Sequence, residues 1–110
     1  MSRTNDVTKN IIRFLNYSGF KAWRNNNGAV YSVRRKTFLK NPLHQLGVPD
    51  VIGFRLSDGK ALFVEIKTGR DKLSDDQIRF LQQAQKAGCI AFKASNSLEV
   101  VEELNKLKKP

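Results

Sequence analysis

The chain has one cysteine, one histidine, half as many acidic as basic residues, and no apolar run approaching the roughly 18 to 20 residues that cross a bilayer. Each shortage excludes something. Cys89 has no partner for an intramolecular disulfide, and inside the run CIAFKA it reads as a small buried hydrophobe. His44 lies in a loop near Pro42 with no second His or Cys at ligand spacing, so it reads as a solvated loop residue or, in reach of a site, as a group that assists proton transfer. The N-terminus MSRTNDVTKN lacks the apolar core of a secretory signal, so a cytoplasmic location is expected, with no membrane partner. There is no internal repeat and no low-complexity segment, and 110 residues suit a single domain over positions 1–110.

What is present in excess is positive charge, at a formal +10, and it is unevenly spread. Residues 1–49 carry nine Lys or Arg and only Asp6 as an acid, while the other nine acids all follow from Asp50 onward. A basic half of this size favours polyanions, and without a lipid anchor the expected polyanion is nucleic acid.

Periodicity outlines the elements. Val7, Ile11, Ile12 and Leu15 recur at helical spacing from Asp6 to Tyr17, and Gly19 ends the helix. FKAW, the turn material RNNNG and then AVYSVRRK read as a hairpin or two short strands, and TFLKNPLHQLGVP reads as a loop. DVIGFRL and ALFVEIKT, joined by SDGK, read as a strand pair with a tight turn. SDDQIRFLQQAQKAG predicts a helix capped by Ser74, with Ile78, Leu81, Ala84 and Ala87 inward; CIAFKAS predicts a buried strand. NSLEVVEELNKLKK predicts a closing helix with Asn96 and Glu99 as a capping pair and Leu98, Val101, Leu104 and Leu107 inward. Antiparallel hairpins followed by a strand, helix, strand crossover imply an α/β fold with a mixed sheet covered by helices.

The chemistry sits in GVPDVIGFRLSDGKALFVEIKTG, residues 47–69. On the second strand of that pair Leu62, Val64 and Ile66 share one face, and Phe63, Glu65 and Lys67 the other. If the strands pair through SDGK, Asp50 and Glu65 converge. Two carboxylates that close repel each other unless a proton or cation lies between them. Mg²⁺ suits such an all-oxygen site, needing only one or two carboxylates when phosphate and water complete its shell. Lys67 beside them can orient a water for attack on phosphorus and offset transition-state charge.

The pattern Pro49-Asp50, fourteen intervening residues, then Glu65-Ile66-Lys67 resembles the PD-(D/E)xK nuclease superfamily. From Asp6 to Ser95 the chain resembles its virus-type replication-repair (VRR-NUC) branch, similar to Holliday junction resolvases. The resemblance implies a restriction-endonuclease-like core with a central mixed four-stranded sheet, in the order α-β-β-β-α-β-α. It implies Asp50, Glu65 and the Ile66 carbonyl as Mg²⁺ ligands, with Mn²⁺ able to substitute, and Lys67 as the residue that positions water. Ser74-Asp75-Asp76-Gln77 resembles the family's Ser/Thr-x-x-Gln element, with Gln77 facing the active site. Asp6 stands where a glutamate of the first helix often supplies a further acid. Trp23-Arg24-Asn25-Asn26-Asn27-Gly28 resembles an element near the substrate, giving Arg24, Asn25 and Asn27 as nucleic-acid contacts. Arg34, Arg35 and Lys36 are natural phosphate contacts, and Lys40 and Lys72 are counted with them.

The resemblance thus implies a Mg²⁺-dependent DNA endonuclease of repair or recombination, acting on four-way junctions or flaps as a homodimer in a bacterial or phage-infected cell. The alternative is a catalytically silent nucleic-acid-binding protein on the same fold; a third reading is a basic interaction domain with structural carboxylates. Plainer roles exist for each residue. Glu65 and Lys67 can form an ion pair on an exposed sheet, and Asp50 can cap a turn. Gln77 can complete a capping box with Ser74, and Trp23 is more often core than a base-stacking platform.

Overall fold

The computed structural model describes residues 3–25, 30–32, 34–39 and 45–108. Helix α1 (Arg3–Tyr17) leads into strand β1 (Phe20–Arg24). The short strands β2 (Val30–Ser32) and β3 (Thr37–Leu39) follow, then β4 (Val51–Arg55) and β5 (Ala61–Ile66). Helix α2 (Asp75–Lys86), strand β6 (Ile90–Ala94) and helix α3 (Ser97–Lys106) complete the chain. The main sheet has the order β1-β4-β5-β6, antiparallel across β1, β4 and β5 and parallel between β5 and β6. Counting only its strands, the order is the expected α-β-β-β-α-β-α in an α/β fold with a mixed four-stranded sheet. No helix among the described residues is long and apolar enough to cross a membrane.

One face of the sheet is closed by α1 and α3. Ile11 and Leu15 of α1 and Val100 of α3 pack on Val51, Leu62, Val64, Ile66, Ile90 and Phe92, all buried. The other face is covered in part by α2, where Leu81 and Ala84 meet Ala91, Phe63 and Phe80. Strand alternation therefore assigns Leu62, Val64 and Ile66 to the α1/α3 core and Phe63, Glu65 and Lys67 to the α2 side. The SDGK turn is pinned by Arg55 N–H donating to Lys60 O at 2.8 Å and by the Arg55–Asp58 ion pair at 2.7 Å. Both edge strands are partly covered by side-chain amides. Asn16 both donates to Ala22 O (3.1 Å) and accepts from Ala22 N (2.8 Å) on β1, and Gln85 donates to Ala91 O (2.7 Å) on β6. Pairing groups that would otherwise recruit another chain are so occupied.

Three expectations need correction. FKAW and AVYS form two short strands rather than a hairpin: β1 pairs with β4, while β2 pairs with β3, so the stretch expected as loop contributes a strand. The Phe20 and Ala22 side chains reach the core only from the sheet edge beside β4, and Gly53 permits that approach, since a Cβ there would lie 2.0 Å from Lys21 O. The inward face of α3 is Val100 with Leu104 rather than Leu98 and Leu107, which are 66% and 53% exposed. Two residues along a helix turn about 200°, so burial of Val100 puts Leu98 outside. On α2, Ile78 and Ala87 are likewise exposed; Leu81 and Ala84 alone of the expected four are buried.

Candidate active site

The β4–β5 register pairs Val51 with Val64, and continuing it by one residue sets Asp50 opposite Glu65. On the flanking strands, Asn25 donates its backbone N–H to Asp50 O at 2.7 Å, and Glu65 is in register with Lys93. One row across the sheet thus reads Asn25, Asp50, Glu65, Lys93. Directly opposed residues have Cβ atoms roughly 4.5–5.5 Å apart, so the two carboxylates face each other at contact range.

Glu65 is 2% exposed, and its Oε2 is buried with no hydrogen-bond donor among the described residues. Its other oxygen accepts from Gln77 Nε2 at 3.3 Å. Burial first, and then the negative charge of Asp50, push the Glu65 carboxyl up to about 8, and the positive charge of Lys67 works against them. A buried acceptor without a donor, facing a second carboxylate, is a place for a proton or a cation. The backbone adds a third oxygen. Lys67 N–H donates to Ala94 O on β6 (3.2 Å), so the groups of Ile66, one residue earlier, point toward β4, where the register sets Pro49 opposite. Proline has no N–H to give, which leaves the Ile66 carbonyl without a ladder donor on that strand. This donor set, two carboxylates and a carbonyl, fits a hard divalent cation such as Mg²⁺.

Gln77 fills both of the roles its position suggests. Its Oε1 accepts from Ser74 N (2.8 Å) and its backbone N–H donates to Ser74 Oγ (3.2 Å), the reciprocal capping box of α2, while its Nε2 reaches Glu65. The cap therefore fixes the amide that holds the carboxylate. Asn25 supports the other acid, its Nδ2 donating to Pro49 O at 3.4 Å beside the backbone bond to Asp50.

Asp6 does not join this set. It is exposed in the first turn of α1, and among the described residues no three His, Cys, Asp or Glu side chains gather to hold a metal. Helix α1 instead meets the end of β1 through Asn5, which accepts from Arg24 Nη1 at 3.2 Å; alternation sets Arg24 with Phe20 and Ala22 on the face opposite the carboxylates. Arg34, Arg35 and Lys36 form the exposed turn between β2 and β3, with Lys36 in the left-handed region at φ 53°, and Lys72 is exposed ahead of α2. Asn27, Lys40 and His44 lie outside the described residues.

Sequence reasoning missed two residues. Lys93, exposed on the site row beside Glu65, was hidden in a strand read only as buried. Gly47 was read as loop punctuation, yet it carries φ 79° and a Cβ there would lie 2.3 Å from Asp76 O and 2.9 Å from Gln77 N. The segment leading to Asp50 rests on the first turn of α2 at backbone distance. Its only advance signal was a glycine close before the Pro-Asp pair.

Compared with models of known families, the chain matches the VRR-NUC domain over residues 9–96, most of its length and all of the site row. The chain belongs to the VRR-NUC family. No curated protein and no solved structure matches it. Membership of the VRR-NUC family implies a nuclease-type fold, and the carboxylate row lies inside the matched segment.

Proposed function

We propose that this VRR-NUC protein is a Mg²⁺-dependent DNA endonuclease that cuts branched substrates such as four-way junctions or flaps. The observation that carries the reading is the Asp50–Glu65 pair, with a buried Glu65 oxygen that no donor among the described residues satisfies. Asp50, Glu65 and the Ile66 carbonyl are the residues to hold the ion. When bound there, Mg²⁺ supplies Lewis acidity to the scissile phosphate and acidifies water. Lys67, half-buried two residues beyond Glu65 on the same face, orients the attacking water through its ammonium and offsets charge on the phosphoryl oxygens. Gln77 fixes the rotamer of Glu65 through the capped first turn of α2, and Asn25 fixes the backbone of Pro49 and Asp50. Arg34, Arg35, Lys36 and Lys72 bind phosphates away from the reacting bond and set orientation. A homodimer addresses the two strands of a branched substrate with two such sites.

The test is cleavage of labelled four-way junction, flap, single-stranded and linear duplex DNA with Mg²⁺, Mn²⁺ or EDTA, for wild type beside Glu65→Ala and Lys67→Ala. Metal-dependent cutting that both variants lose supports the assignment. Cutting unaffected by either substitution overturns it, and tight binding without cutting under every condition moves the protein to the silent-binder reading.

A further inference from the structure

Helix α2 covers only the β5–β6 half of its sheet face. Over β1 and β4 no helix among the described residues covers that face, and it presents Trp23 and Phe54, 43% and 38% exposed, in an edge-to-face pair with centroids 6.3 Å apart. Alternation sets Lys21, Trp23 and Asn25 of β1, and Asp50, Ile52 and Phe54 of β4, on this same side. The aromatic pair therefore shares a surface with the carboxylate row. Trp23 pairs with Ile52, two residues from the Asn25–Asp50 pairing, a step of roughly 7 Å along the strands. Lys21, exposed and in register with Phe54, supplies positive charge on the side away from the carboxylates.

We infer that Trp23 and Phe54 form a stacking platform for unpaired nucleobases next to the scissile phosphate, so that the substrate class is nucleic acid with a single-stranded segment at the cut. An exposed indole normally costs free energy by keeping apolar surface in water, and its retention here, continuous with the carboxylates and flanked by lysine, fits a partner with flat π-faces and phosphates. Inside a duplex, bases are stacked on one another and offer no free face to the indole. The inference rests on the nuclease reading for what lies beside the platform, but its test does not depend on cleavage.

Trp23 is the sole tryptophan, so its emission reports on this surface alone. The full chain in EDTA is titrated with a labelled oligothymidylate and with a blunt duplex of equal length, reading label anisotropy and Trp23 fluorescence together. The expected result is saturable quenching by the single strand that the duplex does not produce. Trp23→Ala and Phe54→Ala, checked for unchanged melting, then weaken single-strand binding by roughly 5- to 150-fold for the missing base stack and leave duplex binding intact. Single-strand binding that leaves Trp23 emission unchanged overturns the platform while the nuclease reading stands. Emission that shifts with protein concentration alone, accompanied by dimer formation, overturns it in favour of a second copy of the chain on this face. If neither DNA binds, the platform falls, and metal-dependent cleavage of the branched substrates then decides separately whether the nuclease reading falls with it.

Discussion

The unsatisfied Glu65 oxygen makes metal-free stability depend on pH in a direction opposite to that of most carboxylates. Its carboxyl is pushed up to about 8 in the folded protein, against 4.5 for an ordinary glutamate. Between those values the folded chain holds a proton that the unfolded chain has released, so stability falls as pH rises. The contribution is fully present below pH 4.5 and is lost as pH passes the folded value. One proton held over one pH unit corresponds to about 1.4 kcal/mol, so the ceiling between about pH 5 and pH 8 is roughly 4 kcal/mol. For a domain of this size that ceiling corresponds to a fall in Tm of roughly 15–20 °C. Glu65→Gln keeps the shape and removes the charge; it flattens the profile and melts above wild type at about pH 8 in EDTA. A divalent cation competes for the same place as the proton. Added Mg²⁺ or Mn²⁺ therefore raises the wild-type Tm more at about pH 8 than at about pH 5.5 and leaves the variant unmoved. Thermal melts followed by circular dichroism, in EDTA and in each metal across this range, make the measurement. A Glu65→Gln protein that is less stable than wild type at about pH 8 without metal, or a wild type whose Tm ignores divalent cations, refutes the reasoning.

Three further outcomes follow from particular side chains. Gly47→Ala places a Cβ 2.3 Å from Asp76 O at a positive φ, and is expected to destabilise by about 1–3 kcal/mol and to reduce cleavage by displacing Gln77 and Asp50, read from melts and single-turnover rates. Ser74→Ala and Gln77→Ala each remove one of the two bonds of the α2 capping box, about 1 kcal/mol, but only Gln77→Ala releases Glu65; equal rates for the two variants count against the positioning role of Gln77. Replacing Arg34, Arg35 and Lys36 by Ala weakens DNA binding similarly across sequences and lowers the slope of log K against log salt by about 0.9 for each phosphate that is no longer neutralised, measured by anisotropy titration.

The elements nearest the chemistry were the most legible. SDGK between two apolar runs fixed a hairpin, its register then set Asp50 across from Glu65, and period-two alternation put Lys67 on the same side. Each of these follows from local rules that tertiary structure rarely overrides. Reading failed where partners are chosen at a distance. FKAW and AVYS looked like neighbours because RNNNG looks like a turn, but the core available to Phe20 and Ala22 lies beside β4, about thirty residues on, and a strand's sequence does not state its partner. Likewise Leu98 and Val100 are both apolar, and only docking of α3 on the sheet decides which one is buried.

Trp23 carries the most instructive reversal. A lone tryptophan in a short apolar strand is most economically read as core, because burial of its large surface is a strong stabilising term. Here α1 and α3 fill one face with smaller side chains, and α2 stops at β5, so the indole is left in water beside the carboxylates. Widening α2's coverage by a strand would bury Trp23 but would also roof over half-buried Asp50, the side from which a phosphate reaches the acidic pair. The same incomplete cover that exposes an apolar surface is what opens the acidic pair to a polyanion. The exposed aromatic pair and the candidate catalytic row are thus two consequences of one packing choice.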